Sequence, residues 1–311
     1  MHSPLRIQFF HSKGGGPSVF MRRLRRYLVK HYDIQVTDRK PHLYLSAVWR
    51  GKPPKGAKTV HRVDNCYFDK LNKNRNRLND KIKLAIKKAN GVIYQSEFSF
   101  KLCKNVLGLR ASKYVIIHNG FDESLCEDVV QFEHGYKHLF VACALWRPIK
   151  RPKSIMRAFR KAEIPDSALV MIGGGIRHPP SDPRIICTGS ISPAEAYRYY
   201  KAATAVIHIS RHESCPNTAV EALAFGKPVI CNNSGGTKEI VGNDGVVVDI
   251  DPVDKFNSFP MKNPENIDYE KISQAMREVV KKEWDISRPD LKMSTCAKRY
   301  MNFFNKILNK K

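Results

Sequence analysis

Two glutamates, Glu213 and Glu221, stand eight positions apart in the segment HESCPNTAVEALAFGKPVICNNSGG, residues 212–236. Glu213 follows the apolar run AVIHIS, which predicts a strand, and Glu221 lies about one turn inside a predicted helix that ends in a glycine. Ligands of parallel sheets bind beyond the carboxyl ends of the strands. A carboxylate at Glu221 suits the two hydroxyls of a ribose. The first-turn amides of the helix, after Pro216 and Asn217, suit a phosphate.

The same two acids have an ordinary structural explanation. Two glutamates eight residues apart are common, and both could balance the helix dipole or pair with nearby lysines. The spacing alone therefore leaves a ligand site and a structural role open, and the surrounding sequence has to decide between them.

Apolar runs alternate with amphipathic helices along the chain and predict an α/β protein. The run LRIQFF at 5–10 leads through a glycine loop into a helix whose apolar face carries Phe20, Leu24 and Leu28. The same alternation restarts with LFVACAL at 139–145, after an acidic stretch. Strands that alternate with helices imply parallel sheets with helices on both faces.

The sequence predicts two Rossmann-like domains and a terminal helix. The change from basic to acidic composition places the first domain at 1–135 and the second at 136–285. The last helix, within 286–311, has an apolar stripe that needs a core. It could lie on the second domain or cross back to the first.

The net charge of +25 is concentrated in the first part of the chain, where residues 1–121 hold 26 Lys/Arg against 6 Asp/Glu. Such a surface attracts nucleic acid, an acidic lipid headgroup or a phosphorylated substrate, unless it is a solvated face without a specific partner. The segment RRLRRYLVK at 22–30 either packs its apolar side on the sheet or lies on an acidic membrane.

Cysteine spacing and hydropathy argue against several classes of protein. The 8 cysteines show no CxxC or zinc-finger spacing and suit free thiols in a reducing compartment. No apolar run reaches the ~18 residues of a membrane-spanning helix, and the first residues lack the pattern of a secretory signal. We therefore expect a cytoplasmic protein without a structural metal, either free or peripheral at the inner membrane face.

Residues 212–241 resemble the E-x7-E region of the family 4 retaining glycosyltransferases. In that family a Glu and a small residue lead through a variable loop to EA-x-A-x-G-x-PV and then to GG-x-x-E. The matching residues are Glu213, Ser214, Glu221, Ala222, Ala224, Gly226, Pro228, Val229, Gly235, Gly236 and Glu239. Weaker similarity extends over most of the chain, in SKGGG, VIIHNGFD, RPIKRPKSIMRAF and LVMIGGG. The resemblance implies the GT-B fold, with two Rossmann-like β/α/β domains facing a central cleft.

The resemblance also implies a set of site residues. The donor-binding set is Gly15, Gly16, Arg147, Lys150, Gly173, Pro216, Asn217, Thr218 and Glu221, and the set at the reacting centre is Glu213 and His61. In this family Arg147 and Lys150 would bind the diphosphate and Glu221 the ribose. Glu213 would bind the hydroxyls of the donor sugar, and His61 matches a histidine near that sugar by position only.

Two residues depart from the family pattern. Arg151 stands where a glycine usually follows the lysine, and Cys215 stands where many members carry a glycine. Arg147 also lies closer to Lys150 than in many members.

The function that the resemblance implies is a retaining transfer of a sugar from a UDP- or GDP-linked donor to a glycan, a glycolipid or another acceptor. Fixed cations and helix amides would stabilise the leaving diphosphate, so no cofactor and no metal ion are expected. Two alternatives stay open. One is a nucleotide-sugar epimerase of the same fold. The other is a basic nucleic-acid-binding protein, although the chain lacks an RNP, KH or zinc-finger signature.

Overall fold

The protein forms two compact units. The computed structural model describes residues 3–11, 14–67, 73–251 and 267–309. Within these residues unit 1 comprises 3–122 and 289–309, and unit 2 comprises 123–251 and 267–288. The division between Asp122 and Glu123 lies earlier in the chain than the boundary near residue 135 that the change in composition predicted.

The strands of both units are parallel to their neighbours. Those of unit 1 are β1 (Leu5–Phe10), β2 (Ile34–Val36), β3 (Leu43–Ala47), β4 (Lys58–Val63), β5 (Gly91–Tyr94) and β6 (Tyr114–Ile116). Those of unit 2 are β7 (His138–Cys143), β8 (Ser167–Ile172), β9 (Ile185–Gly189), β10 (Ala205–His208), β11 (Val229–Asn232) and β12 (Gly245–Val248). The spatial order is β2-β1-β3-β4-β5-β6 in unit 1 and β12-β11-β10-β7-β8-β9 in unit 2.

Helices connect these strands. They are α1 (Gly15–His31), α2 (Arg75–Lys88), α3 (Glu97–Leu107), α4 (Ser124–Glu127), α5 (Pro152–Ala162), α6 (Pro193–Ala202), α7 (Asn217–Ala224), α8 (Thr237–Val241), α9 (Tyr269–Val279) and α10 (Met293–Leu308). Short 3₁₀ turns span Pro148–Lys150 and Pro289–Leu291. No helix among the residues that the structure describes is long and apolar enough to cross a membrane.

Strand β8 is buried along its whole length because helices cover both faces of the sheet of unit 2. Every residue of β8, with the sequence SALVMI, is buried. A strand buried on both faces has no polar side to show, so its sequence reads as a continuous apolar run. The strand predictions at LFVACAL and ALVMIGGG rest on this feature.

Helix α5 shows how the local sequence fixes an element beside the site. Pro152 occupies the first turn, where its missing N–H costs nothing. Ile155, Ala158, Phe159 and Ala162 follow at helical spacing, and all four are buried. Basic residues occupy the opposite face, so the stripe fixes which side of the helix packs on the sheet.

The terminal helix α10 belongs to unit 1. Its buried side chains Ala297, Tyr300, Phe304 and Ile307 join the core that β1 and β3 share with α1. Met293 N–H donates to the carbonyl of Phe121 at 2.7 Å, which ties the start of the helix to the end of the first segment of unit 1.

Candidate functional site

The sheet of unit 2 reverses its strand order between β7 and β10. β8 and β9 continue on one side of β7, and β10, β11 and β12 lie on the other. Such a reversal leaves a crevice at the carboxyl ends of the two strands, and ligands of open α/β sheets bind there. A small pocket occupies this place. Its lining residues are Cys143, Ala144, Trp146, Lys150, Ile155, Ile207, His208, Ile209 and Ser210.

Glu213 lies in the turn after β10 and contacts the wall of this pocket. Its Oε1 accepts a hydrogen bond from Ser210 Oγ at 2.9 Å and forms an ion pair with Lys150 Nζ. The side chain of Glu213 is 29% exposed and that of Lys150 is 15% exposed. The structure thus brings together two residues that the resemblance assigned to the site.

The surroundings of Glu213 keep its carboxyl group ionised. Burial alone would raise the pKa, but the charge of Lys150, that of His208 once acid protonates it, and the hydrogen bonds from Lys150 and Ser210 outweigh it. The pKa of Glu213 falls from its ordinary 4.5 to about 2. At neutral pH the group therefore accepts hydrogen bonds and has no proton to give.

The two glycines at 235 and 236 support the backbone of Glu213. Gly236 N–H donates to the carbonyl of Glu213 at 2.7 Å. Gly235 has a φ of +84°, and a Cβ there would lie 3.0 Å from the Glu213 carbonyl oxygen and 3.1 Å from its nitrogen. The Gly-Gly pair of the motif thus provides close backbone packing behind the acid.

His208 and Trp146 add polar groups that the sequence did not single out. Both side chains are 5% exposed, and within the described residues neither His208 Nε2 nor Trp146 Nε1 has a hydrogen-bond partner. Burial and the neighbouring charge of Lys150, opposed by Glu213, lower the pKa of His208 to about 4. The imidazole is therefore neutral at physiological pH. Two unpaired buried groups lining one pocket are available to a ligand.

Helix α7 starts beside the same pocket. Its N-cap position is Pro216, and no side chain caps the first turn. Thr218 Oγ1 donates to the carbonyl of Cys143 at 3.3 Å, which fixes the start of the helix against the end of β7. Glu221 is 9% exposed. The pKa of the Cys143 thiol is raised to about 11, mainly by burial and next by the negative charge of Glu221.

Gly173 opens the glycine turn after β8. Its φ is +113°, and a Cβ would lie 1.9 Å from the carbonyl oxygen of Ala144. Only glycine allows this approach of the turn to the segment that carries Trp146.

Arg147 lies at the start of the 3₁₀ turn Pro148–Lys150 and is exposed to solvent. Its carbonyl accepts a hydrogen bond from Lys150 N–H at 2.8 Å.

The remaining predicted residues lie in unit 1. His61 on β4 is buried, with Nδ1 at 2.9 Å from Ser46 Oγ, and its Nε2 has no hydrogen-bond partner in the described part of the chain. Burial, Arg50 and Arg62 lower the pKa of His61 to about 3, so the ring is neutral.

The glycine loop follows β1, next to the point where the sheet of unit 1 reverses between β1 and β3. Gly15 begins α1 with a φ of +76°, and Gly16 follows it in the first turn. Ser12 and Lys13 of the SKGGG segment lie outside the described residues.

The sequence pointed to many of the residues at this place but missed others. The resemblance supplied Lys150, from the segment RPIKRPKSIMRAF, and Glu213, Thr218 and Glu221, from the E-x7-E region. These residues lie around the carboxyl ends of β7 and β10. His208 was missed because it stands inside an apolar run that reads only as a strand. Among the described residues no group of three or more His, Cys, Asp or Glu side chains is placed to hold a metal ion.

Residues 136–258 match the model of the family described as "Glycosyl transferases group 1". The GDP-mannose-dependent alpha-mannosyltransferase of Mycolicibacterium smegmatis is 28% identical over 122 residues, which is 34% of this chain and 32% of that protein. The chain thus matches about a third of the length of this curated relative. The matched family segment contains the whole pocket of unit 2.

Solved structures resemble the whole chain. The sucrose-phosphate synthase of Thermosynechococcus elongatus has a TM-score of 0.67 at 14% identity, covering 98% of this chain and 96% of that one. The Anabaena HepE protein in complex with UDP has a TM-score of 0.63 at 14% identity, covering 98% of each chain. The predicted fold class is confirmed: two parallel six-stranded sheets with flanking helices, as in GT-B glycosyltransferases.

Proposed function

We propose that this protein is a retaining glycosyltransferase that moves a sugar from a UDP- or GDP-linked donor to an acceptor hydroxyl without a metal ion. The observation that carries the proposal is the contact of Lys150 with Glu213 at the strand-reversal pocket of unit 2. This contact lies inside the segment that matches the group 1 glycosyl transferases.

The donor diphosphate would bind between the 3₁₀ turn and the start of α7. Lys150 and Arg147 supply two cations on one short turn. The first-turn backbone amides of α7, at Asn217 and Thr218, point the positive ends of their N–H dipoles at the same anion. Glu221, one turn into α7, would accept hydrogen bonds from the ribose hydroxyls.

The ionised Glu213 would accept hydrogen bonds from hydroxyls of the donor sugar. Lys150 has three N–H donors, so it can keep Glu213 in place and still contact a phosphate oxygen. The neutral His208 offers a further hydrogen bond in the same pocket. Neither group needs to change its protonation state for the donor to bind at neutral pH.

The transfer breaks the bond between the anomeric carbon and the diphosphate oxygen and forms a bond from that carbon to the acceptor oxygen. The leaving diphosphate takes the electron pair of the broken bond, and the acceptor hydroxyl gives its proton to a diphosphate oxygen. Fixed cations and amide dipoles stabilise the charge that develops on the leaving group. A front-side path of this kind keeps the anomeric configuration and needs no protein nucleophile.

The acceptor is proposed to bind unit 1. The excess of positive charge lies there, with 26 Lys/Arg against 6 Asp/Glu over residues 1–121. Arg22, Arg25, Arg26 and Lys30 of α1 are exposed. A glycan or lipid-linked acceptor that carries phosphate or another acid would be attracted to this surface. Peripheral contact with an acidic membrane follows from the same charge.

Calorimetry with UDP and GDP, together with NMR of UDP- and GDP-sugars incubated with the protein and EDTA, tests the proposal. We expect one nucleotide to bind and its sugar to be released slowly. With methanol added as an acceptor, the methyl glycoside, which does not mutarotate, should keep the anomeric configuration of the donor. Glu221→Gln should weaken nucleotide binding about tenfold, because hydrogen bonds to a carboxylate are lost. Glu213→Gln should bind the nucleotide normally but release sugar more slowly.

Glu195→Gln is the matched control, since Glu195 is an exposed acid on α6 of the same unit and lies outside the proposed site. It should behave as the unmodified protein. Absence of nucleotide binding would overturn the proposal. Conversion of the donor sugar into its epimer would support the epimerase, and binding to polynucleotide alone would support the nucleic-acid-binding alternative.

A further inference from the structure

Arg151, next to Lys150, holds an unusual backbone conformation. Its φ is +56° and its ψ is +44°, in the left-handed region that favours glycine. A residue with a side chain persists there only when its surroundings fix it. The side chain of Arg151 must therefore make interactions that offset the cost of the backbone.

The guanidinium of Arg151 makes those interactions inside unit 2. It donates to both carboxylate oxygens of Asp251, with one nitrogen–oxygen distance of 2.9 Å and one of 2.5 Å. It also donates to the carbonyl of Ile209 at 3.1 Å. The side chains of Arg151 and Asp251 are 2% and 1% exposed. Two-point geometry of this kind fixes both position and orientation.

Asp251 joins the ends of three neighbouring strands. Its carboxylate accepts from Asn232 Nδ2 at 2.5 Å and from Ser234 Oγ at 3.3 Å, both at the end of β11. Arg211, in the turn after β10, lies 3.7 Å away. Hydrogen bonds and the two arginines outweigh the burial that would raise the pKa, so the pKa of Asp251 is lowered and the group stays charged.

These contacts reach the Lys150–Glu213 pair from both sides. Arg151 is bonded covalently to Lys150 on one side. On the other it holds Ile209, and the next residue, Ser210, donates to Glu213. We infer that the buried Arg151–Asp251 pair is a positioning device that sets Lys150 against Glu213 and so fixes the diphosphate end of the donor site. That this place binds a donor rests on the proposed function. The positioning of Lys150 against Glu213 does not.

A purely structural cross-link would have different consequences. Its loss would lower the stability of unit 2 and leave the folded fraction with a normal Lys150–Glu213 contact. A positioning pair, once weakened, would let the ammonium drift from the carboxylate in the folded protein. The titration of Glu213 separates the two, because the groups that face its carboxylate are Lys150, His208 and Ser210.

The test uses Asp251→Asn and the double variant Arg151→Gly/Asp251→Asn. The double variant leaves neither charge of the pair buried alone and puts glycine where φ is positive. It should therefore be less destabilised than the single variant, although Arg211 loses the same carboxylate in both. The ¹³C signal of the Glu213 carboxyl, assigned with Glu213→Gln, is followed over about pH 4 to 7 in the full chain. Lys153→Ala removes an exposed charge from the same helix and is the control.

In the unmodified protein and in Lys153→Ala the Glu213 signal should show no titration step of its own over this range, only a small change near pH 4 as the neighbouring His208 takes up a proton. In both pair variants it should titrate with a midpoint shifted up toward 4.5, the ordinary value of the group. The dissociation constant of the nucleotide should rise about tenfold, as expected for a displaced contact group. Folded variants in which the Glu213 signal still does not titrate would overturn the inference. If the unmodified protein binds no nucleotide, the proposed function fails while the titration still decides the positioning.

Discussion

Glu213 and His208 both face the ammonium group of Lys150, and the effect of that charge differs between them. It lowers the pKa of the carboxyl to about 2, which keeps the acid charged. Burial, and after it the same charge, lower the pKa of the imidazole to about 4, which keeps the ring neutral. Burial and one lysine together therefore set a fixed pattern of charge, in which an anion and a neutral ring lie beside a cation. That pattern is unchanged across the physiological pH range.

The backbone behind Glu213 can be tested with a single methyl group. Gly235→Ala places a Cβ 3.0 Å from the Glu213 carbonyl oxygen and 3.1 Å from His212 Cα, so the turn must shift. We expect donor binding to weaken severalfold and stability to fall by about 1–2 kcal/mol, the cost of a left-handed non-glycine residue. Calorimetry with the nucleotide sugar, whose hydroxyls Glu213 would contact, and thermal unfolding measure the two effects.

Gly242→Ala separates strain from displacement. Gly242 also has a positive φ, +55°, but a Cβ there meets nothing within 4 Å. Its ψ of −123° lies outside the left-handed helical region, so this variant should lose at least as much stability but keep its affinity for the nucleotide sugar. Equal affinities in the two variants would show that the close packing against Glu213 has no part in binding.

At the residue scale, the sequence predicted site residues where they match the family motifs, but it did not predict which residues contact one another. Lys150 and Glu213 stand 63 positions apart, and only the resemblance suggested that they share a site. The buried partner of Arg151 is 100 positions away at Asp251, and no local pattern marks it. Pairs of this kind depend on which strands become neighbours in the sheet. The order of the strands along the chain does not determine this spatial order.

At the scale of elements, apolar runs and amphipathic stripes predicted most strands and helices, the three-residue β6 included, but gave no signal for β2 or α8. The buried runs that became β7 and β8 and the stripe of α5 need only local information. The three-residue strand β2 is too short to show a period, and α8 has five residues. The apolar stripe of α10 predicted a helix but could not name its partner, because two cores were available to it.

The packing of α10 gives a prediction for one unit. Phe304 is 0% exposed and lies in the core of unit 1, with its ring centroid 5.8 Å from that of Tyr300. Phe304→Ala should cost about 3–5 kcal/mol because it removes a buried ring and leaves a cavity. Hydrogen exchange followed by mass spectrometry should show faster exchange in peptides from β1 and β3, and unchanged exchange in peptides from β7 and β8.

Asn302→Ala is the control on the exposed face of the same helix. It should leave both sets of peptides unchanged. Faster exchange in unit 2 alone after the Phe304 substitution would contradict the assignment of α10 to the core of unit 1. The experiment reports local opening, so it does not require the two units to unfold together.

At the scale of the whole molecule, the two units share one architecture but differ in charge. Both units are parallel α/β sheets, but the excess of Lys and Arg lies in the first part of the chain. The strand-reversal pocket with the Lys150–Glu213 pair lies in the other unit. This asymmetry fits a protein whose two units bind different molecules. One would hold a nucleotide through a few fixed groups, and the other an anionic acceptor through a broad field.

The field of unit 1 predicts binding to acidic membranes that depends on salt. Arg25 and Arg26 are exposed on α1, and the neighbouring Val29 is 48% exposed. Sedimentation with vesicles that contain phosphatidylserine should show binding that weakens as salt rises, because screening acts on exposed charges. Arg25→Gln/Arg26→Gln should weaken vesicle binding about tenfold or more, at about 1 kcal/mol per basic residue.

The control Lys161→Gln/Lys281→Gln removes two exposed charges from unit 2 and should leave vesicle binding nearly unchanged. Equal losses in the two double variants would mean that net charge alone, and not α1, attracts the protein to the vesicles.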